Sequence, residues 1–147
     1  MHVFRSMILD HPIDTVWAAA RAFDGVAHWN PGVVAATLEH GAPTATGTIR
    51  TLTAADGSVF RETLLAHSDA DRSYTYDILA SALPVANYVS THRFVPITHT
   101  NQTLGIWYSD FDCAPGDADA MEQVVGDAIY IGGMTGLNTY LKETQNG

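Results

Sequence analysis

The chain has 147 residues, of which 46 % are hydrophobic and 16 % charged, a composition that suits one folded domain over residues 1–147 and excludes a disordered chain. Sixteen Asp and Glu against seven Lys and Arg give a formal net charge of −9, which repels nucleic acid and anionic membrane surfaces and argues against both as partners. The single cysteine has no intrachain disulfide partner and no apolar run nears the roughly 20 residues of a membrane span, so we expect a cytoplasmic protein.

The N-terminal part of the chain predicts a strand, a helix and a chain break. Residues 2–9 are the predicted strand, and Pro12 suits the first turn of a helix that Asp10 or His11 would cap. The helix is expected to run to about Asp24, because apolar residues recur at spacings of three and four. Pro31 then ends any helix, since proline disfavours the helical conformation of the residue before it. The apolar helix residues are Val16, Trp17, Ala20 and Phe23.

The middle of the chain predicts antiparallel strands separated by turn residues. No strand–helix–strand rhythm occurs between Val33 and Cys113, which disfavours a parallel sheet. Asp56-Gly57 is the strongest hairpin signal, because this dipeptide suits a tight turn between strands. The predicted strands cover residues 33–39, 47–54, 58–67, 72–79, 87–96 and 102–113.

A long helix is predicted to close the chain and to run to about Lys142. Asp119 and Glu122 have the spacing of a capping box, and apolar residues follow at helical intervals. Glycines inside this helix each cost about 0.8–1 kcal/mol relative to alanine. We therefore expect the helix to approach the sheet closely, to bend or to open at Gly126, Gly132, Gly133 and Gly136.

The predicted strand 87–96 carries the most informative side chains. Side chains of a strand point alternately to its two faces, so Tyr88, Ser90 and His92 share a face with Phe94. This mixture is unusual for a plain core, and we expect the face to contact a ligand. A histidine exchanges protons near neutral pH, which makes His92 a candidate catalytic residue. The alternative is a structural histidine with its hydrogen bonds satisfied.

Glu62 is the second candidate catalytic residue. It shares a strand face with Phe60, Leu64 and Ala66, so its carboxylate lies among apolar neighbours. Burial raises the pKa of a carboxyl group, and Glu62 would then act as a general acid or base. The alternative is a structural Glu62 that is held ionised by Arg50 or by another hydrogen-bond partner.

Aromatic residues on two further strands complete the predicted lining. Tyr76 shares the inward face of its strand with Tyr74 and Ile78, and a plain aromatic core is the alternative for these residues. On the last strand Trp107 and Tyr108 point to opposite faces. We predict that the Trp107 face points inward, whereas a shift of one residue would place Tyr108 inside instead.

No metal site, cofactor or nucleophilic triad is predicted. The seven histidines do not occur at a helical spacing of four or beside a cysteine pair. The glycines of the last helix do not follow a strand, as a dinucleotide-binding fingerprint would require. The expected partner is a hydrophobic or aromatic small molecule, and the sequence leaves a homodimer open.

Short motifs occur along the chain in an order that resembles the SRPBCC superfamily, also called START-like or birch-pollen-allergen-like, and specifically its polyketide cyclase/dehydrase branch. The resemblance covers about residues 2–142. The motifs are Pro12, Val16-Trp17, Trp29-Asn30-Pro31, Gly47 with Arg50, Asp56-Gly57, Glu62, Tyr74 to Ile78, Leu83-Pro84-Val85, Asn87-Tyr88, Trp107 with Phe111, and Gly136-Leu137 with Leu141.

The resemblance implies an α+β helix-grip fold, in which a curved antiparallel sheet of about seven strands wraps around a long C-terminal helix and leaves an apolar cavity. It implies either a cofactor-independent cyclase or dehydratase, with Glu62 or His92 moving a proton, or a non-catalytic carrier or sensor of a hydrophobic metabolite. The chain is also similar to plant abscisic-acid receptors around Glu62 and Asn87-Tyr88, and it has Asn30 where those receptors have a cation, which argues against an anionic ligand. The receptor match implies that Glu62, Tyr88 and Ser90 line a pocket, and it would place Tyr108 inside instead of Trp107. Together with the strand faces, the predicted ligand-binding residues are Asn30, Tyr76, Tyr88, Ser90 and Trp107.

Overall fold

Seven antiparallel strands form one continuous sheet in the order β1-β7-β6-β5-β4-β3-β2. The structure is a computed structural model and describes residues 1–146. Strands β2 to β7 pair in succession along the chain, and β1 pairs with β7. The strands are β1 (His2–Leu9), β2 (Val33–His40), β3 (Ile49–Ala54), β4 (Val59–Ser68), β5 (Ser73–Asp77), β6 (Ala86–Ile97) and β7 (Gln102–Asp112).

The predicted strands are confirmed, and their ends differ from the observed ones by at most two residues. The early end of β5 at Asp77 has a local cause. The Asp77 carboxylate accepts the Thr63 backbone N–H at 2.9 Å, so a side chain takes the place of a ladder partner there. Pairing resumes as a single bridge between Arg61 and Ala80.

The first helix is shorter than predicted, because the backbone of Phe23 is engaged elsewhere. Helix α1 spans Ile13–Ala20, and the one-turn helix α2 (Val26–Trp29) follows after a turn. The Phe23 carbonyl oxygen accepts a hydrogen bond from Nη1 of Arg50 at 2.7 Å. Its N–H donates to the carbonyl of Pro43 at 2.9 Å. Because the backbone groups of Phe23 bond to residues outside the helix, α1 ends before Phe23.

Both predicted side-chain caps are wrong. Pro12 precedes α1 and no side chain caps that helix, so neither Asp10 nor His11 has the predicted role. The last helix begins at Ala118 after Asp117, again without a capping side chain. Glu122 pairs instead with Nη1 of Arg5 at 2.9 Å, which ties the helix to β1.

The long C-terminal helix is continuous but changes its hydrogen-bond period. It consists of α3 (Ala118–Met121), a π segment (Glu122–Ile131) and α4 (Gly132–Asn146). In a π-helix each N–H bonds to the carbonyl five residues earlier, which widens the turn, and such segments are rare and often occur at functional sites. The helix is therefore widened over the segment that contains Gly126, whereas Gly132, Gly133 and Gly136 lie in the regular α-helix that follows.

The helix also approaches the rest of the protein closely at three glycines. A Cβ at Gly133 would lie 3.0 Å from a ring carbon of Trp107, and one at Gly136 would lie 2.7 Å from the carbonyl oxygen of Trp29. A Cβ at Gly126 would lie 2.5 Å from Cζ of Arg5. The contacts with the Trp107 ring and the Trp29 carbonyl explain glycine at positions 133 and 136 despite its low helix propensity, whereas the neighbour of Gly126 is the end of a flexible side chain.

The inner face of the curved sheet and the C-terminal helix enclose the core. Val125, Tyr130, Met134, Leu137 and Leu141 place one side of the helix against the sheet, and each is at most 2 % exposed. The predicted α+β helix-grip architecture is thus confirmed. Within residues 1–146 no helix is both long and apolar enough to cross a membrane.

Candidate functional site

A cavity of about 390 Å³ lies between the inner face of the sheet, α2 and the π segment. This volume falls in the range of small-molecule sites. Exposed residues at its mouth include Ala55, Asp56 and Ala128, whereas the residues at its closed end are buried. The apolar walls comprise Val26, Val33, Leu52, Phe60, Ile78, Leu83, Val124 and Ile129. The buried closed end comprises Arg50, Glu62, Tyr76, Tyr88 and Trp107.

The structure brings five of the seven sequence-predicted site residues to this cavity. They are Asn30, Glu62, Tyr76, Tyr88 and Trp107. Ser90 and His92 lie behind the wall, in contact with Trp107: Ser90 Oγ is 3.0 Å from the indole Nε1, and the His92 ring stacks on the indole at 3.9 Å.

The inward orientation of β7 is confirmed. Trp107 and Phe111 are each 2 % exposed, and they share the buried face of the strand with Gly105 and Ser109. Tyr108 points to the opposite face, where it stacks on Phe4. The register of β7 with β6 is unbroken from Val89–Asp110 to Ile97–Gln102, so no bulge reverses the alternation.

Asn30 lines the cavity where the chain leaves α2. Its Oδ1 accepts the backbone N–H of Gly32 at 2.9 Å, which fixes the amide in the turn before β2. The Nδ2 of Asn30 faces the last helix and would lie 3.1 Å from a Cβ at Gly133. Asn30 is thus a rigid polar part of the wall.

Arg50 and Glu62 are cross-strand partners on β3 and β4 and form a buried ion pair. Nε of Arg50 donates to Oε1 of Glu62 at 2.8 Å, and Nη2 lies 2.7 Å from the same oxygen. Among residues 1–146 no hydrogen bond reaches Oε2, which leaves that oxygen for a molecule in the cavity. Burial raises the pKa of the Glu62 carboxyl, and the charge of Arg50 opposes this rise. Glu62 is therefore both anchored and chemically available.

The Arg50 guanidinium is further held by aromatic rings. Its central carbon lies 3.9 Å from the ring centroid of Phe23 and 5.0 Å from that of Tyr76. Such stacking stabilises a buried guanidinium through the negative face of the ring. Because Glu62 neutralises Arg50, the closed end of the cavity carries a balanced pair of charges.

Hydroxyl and indole groups form a second buried polar cluster beside the cavity. Nε1 of Trp107 donates to the hydroxyl of Tyr76 at 3.2 Å and to Oγ of Ser90 at 3.0 Å. Ser90 lies 2.9 Å from the hydroxyl of Tyr130, which also contacts the hydroxyl of Tyr88. Burial raises the pKa of Tyr130 to about 12 and that of Tyr76 well above its ordinary value, so both phenols stay protonated.

His92 occupies a fully buried position inside an aromatic stack. It is 0 % exposed, and its ring lies between those of Trp107 at 3.9 Å and Phe94 at 4.4 Å. Burial, with the nearby charge of Arg50, lowers the pKa of His92 to about 3. The imidazole is therefore neutral at pH 7, and its Nδ1 lies 3.4 Å from the hydroxyl of Tyr74.

Sequence reasoning placed the glycine-bearing face of the last helix in the lining but did not identify which residues of the π segment reach the cavity. Val124, Ala128 and Ile129 line the cavity, because a period of five residues between hydrogen-bond partners places residues four and five apart on one face. Tyr130 was not predicted as a site residue, since an aromatic residue in an amphipathic helix ordinarily indicates core. Its closeness to the glycine cluster was the one available signal.

Charged groups are sparse around the cavity. Among the described residues that line it, Arg50 is the one cation, and Glu62 and Asp56 are the anions. Across residues 1–146 no group of three or more His, Cys, Asp or Glu side chains is arranged to hold a metal ion. The site offers hydrogen bonds and apolar surface.

The sequence matches a family model described as "Polyketide cyclase / dehydrase and lipid transport" over residues 1–142. The chain belongs to this family. The match spans every element that builds the cavity, from β1 to α4. A search of curated proteins found no match. Membership in the family covers both enzymes and carriers, so it leaves the activity to be argued from the cavity.

Solved structures of similar proteins share this fold. An uncharacterised protein of Bacillus thuringiensis is 27 % identical, with a TM-score of 0.86 over 97 % of this chain and 99 % of that one. The protein XoxI of Bacillus cereus is 26 % identical, with a TM-score of 0.87 over 98 % of this chain and 97 % of that one. A norcoclaurine synthase point mutant of Thalictrum flavum, in complex with a transition-state analogue, is 16 % identical, with a TM-score of 0.75 over 99 % and 96 % of the two chains. At that identity the likeness shows the fold alone.

Proposed function

We propose that the protein binds an apolar or aromatic small molecule in this cavity. The observation that supports the proposal is the combination of apolar walls with a few buried polar groups at one end. Burial of a hydrophobic molecule against such walls contributes about 25 cal/mol per Å² of apolar surface. The polar groups then orient the molecule, as is usual in small-molecule sites.

Ligand binding is tested by occupying the cavity and by blocking its mouth. Native and denaturing mass spectra of the purified protein identify a molecule that copurifies, and fluorescence of the neutral probe N-phenyl-1-naphthylamine measures binding to the empty protein. Ala128 lies at the mouth and is exposed, so Ala128→Phe should reduce probe affinity at least about tenfold by occluding the site. Ala120 is exposed but lies outside the lining, and Ala120→Phe is the matched control. Equal binding by both variants contradicts the proposal.

We further propose that the cavity catalyses a cofactor-independent proton transfer of the cyclase or dehydratase kind. The free Oε2 of Glu62 supports this role, because Arg50 holds the carboxylate by its other oxygen. Glu62 would remove a proton next to a substrate carbonyl and return it to a departing hydroxyl, which leaves as water. The cavity would hold the substrate in a reactive geometry. Because His92 is buried behind Trp107 and neutral, the proposal assigns the proton transfer to Glu62 alone.

Catalysis is distinguished from transport by whether the bound molecule is released chemically changed. Once a substrate is found, Glu62→Gln should lower turnover by about 100-fold or more while the variant still binds ligand. Asp56→Asn is a matched control, since Asp56 lies at the exposed mouth of the same cavity. Circular dichroism at the assay temperature confirms that both variants are folded. Unaltered turnover in Glu62→Gln removes the catalytic role, and an unchanged ligand favours a carrier or sensor.

A further inference from the structure

A chain of hydroxyl groups runs from the cavity wall into the sheet. The hydroxyl of Tyr88 contacts that of Tyr130, and Tyr130 lies 2.9 Å from Oγ of Ser90. Ser90 donates to the backbone carbonyl oxygen of Tyr108 at 3.2 Å. Tyr88 lines the cavity, whereas Tyr130 and Ser90 are buried at 0 % exposure.

The carbonyl at the end of this chain favours one direction for the hydrogen bonds along it. A carbonyl oxygen can only accept, so the contact between Ser90 and Tyr108 uses the single Ser90 hydrogen. Either hydroxyl of each remaining pair is placed to donate, and with the Ser90 hydrogen on Tyr108 the consistent pattern is that Tyr130 donates to Ser90 and Tyr88 donates to Tyr130. The Tyr88 hydroxyl consequently turns its hydrogen away from the cavity and offers lone pairs to a molecule inside it.

The hydroxyl of Tyr76 differs from that of Tyr88 because it has a hydrogen left to donate. Its hydroxyl accepts from Nε1 of Trp107 at 3.2 Å, and this is the one hydrogen bond that it makes among residues 1–146. The indole nitrogen has no acceptor capacity, so the Tyr76 hydrogen stays unused. Tyr76 lines the same cavity and presents this hydrogen as a donor.

We propose that Tyr88 and Tyr76 select a neutral aromatic ligand with a hydroxyl or N–H donor and a separate carbonyl acceptor. The ligand's donor bonds to the oxygen of Tyr88, and its carbonyl accepts from the hydroxyl of Tyr76. Tyr130 acts as a positioning residue that keeps the Tyr88 hydrogen out of the cavity. This inference rests on the proposed binding function and names the chemical class of its ligand.

The charges around the cavity agree with a neutral ligand. Arg50 is the one cation among the described lining residues, and Glu62 already neutralises it. Oε2 of Glu62 adds a second acceptor at the closed end. An anionic ligand would be repelled by this carboxylate and would find no unpaired cation among the described lining residues. A neutral ligand hydroxyl can instead donate to Oε2 of Glu62 or to the oxygen of Tyr88.

Matched naphthalene derivatives test the acceptor role of Tyr88 and the donor role of Tyr76 separately. The donor pair is 1-naphthol and 1-methoxynaphthalene, in which a methyl group replaces the hydroxyl hydrogen. The acceptor pair is 1-acetylnaphthalene and 1-ethylnaphthalene, in which a methylene group replaces the carbonyl. In the wild type the first member of each pair should bind about 3- to 10-fold more tightly, the effect of one neutral hydrogen bond. Tyr88→Phe should remove the preference within the donor pair, and Tyr76→Phe should remove it within the acceptor pair. Tyr74→Phe is the control, because Tyr74 is buried beside His92 and is not among the lining residues.

Tyr130→Phe gives the most specific readout. It deletes the acceptor of the Tyr88 hydrogen, so Tyr88 becomes free to donate into the cavity. The donor-pair preference should fall by about 3- to 10-fold and the acceptor-pair preference should rise. A residue with a merely structural role would shift the affinity of all four compounds together.

The outcomes separate this inference from the proposed function. If the compounds bind but neither preference appears, or if Tyr130→Phe leaves both ratios unchanged, the polarity assignment is overturned and the apolar cavity stands. If none of the four compounds and no N-phenyl-1-naphthylamine binds, the proposed function falls and this inference with it.

Discussion

Removing either partner of the Arg50–Glu62 pair should destabilise the protein strongly. Arg50 is 2 % exposed and Glu62 is 4 % exposed, so Arg50→Met or Glu62→Leu leaves an uncompensated buried charge. Such a loss costs about 3–5 kcal/mol. At about 2.1 cal/mol/K of unfolding entropy per residue, it lowers the Tm of a 147-residue chain by about 10–16 °C.

The double variant Arg50→Met/Glu62→Leu should recover most of this loss. Replacing both charges by apolar side chains of similar volume removes their desolvation cost along with their attraction, and it is often neutral or stabilising. Thermal and urea unfolding of the four proteins measures the coupling. The coupling is refuted if each single variant loses less than about 1 kcal/mol of unfolding free energy. It is also refuted if the loss in the double variant equals the sum of the two single losses.

The pH dependence of Arg50→Met provides a second test of the same pair. Burial raises the pKa of Glu62, and Arg50 is the charge that opposes the rise. Without Arg50 the folded state binds a proton that the unfolded state lacks at the same pH, so the stability of the variant should increase as the pH falls from 8 to 5. The double variant has no carboxylate at this position and should not show the added pH dependence.

Two further predictions concern the buried histidine and the glycines of the last helix. The pKa of His92 is lowered to about 3 from the usual 6.5, so between these pH values the unfolded state binds a proton that the folded state does not. Wild-type stability should therefore fall on acidification by up to about 1.4 kcal/mol per pH unit. His92→Phe should flatten this slope in acid unfolding curves, and an unchanged slope contradicts the assignment. Gly136→Ala should lower the free energy of unfolding by about 1–3 kcal/mol, because its Cβ would lie 2.7 Å from the Trp29 carbonyl. In Gly132→Ala the nearest atom to the new Cβ lies at 3.6 Å, so this variant should gain up to about 1 kcal/mol from its higher helix propensity. Urea unfolding of both variants measures the difference.

The architecture was predictable because each strand carries its own local signals. Period-2 alternation and turn residues located the strands to within two residues, as in β7, where alternate residues from Thr103 to Phe111 are buried. Errors occurred where tertiary contacts replaced local hydrogen bonds. The end of α1 depends on Arg50, which lies 27 residues beyond the Phe23 carbonyl that it binds, and no local pattern contains that information.

The site was predictable to the extent that it lies on strands. Alternation identified the cavity-facing residues Glu62, Tyr76, Tyr88 and Trp107. It could not distinguish a residue in the cavity wall from one behind it, since both point to the same face of the sheet. Ser90 and His92 share the face of Tyr88, yet Trp107 on the neighbouring strand separates them from the cavity.

The position of Trp107 depends on the helix as much as on the sheet. Its ring lies between those of His92, at 3.9 Å, and Tyr130, at 4.6 Å, with interplanar angles of 11° and 12°. Tyr130 reaches this stack from the π segment, whose wider turn also directs Val124 and Ala128 to the cavity. An α-helical period over the same residues would rotate these side chains relative to one another. The π segment therefore links the shape of the cavity to the hydrogen bonding of its wall, because Tyr130, which completes the aromatic stack, also contacts the hydroxyl of Tyr88.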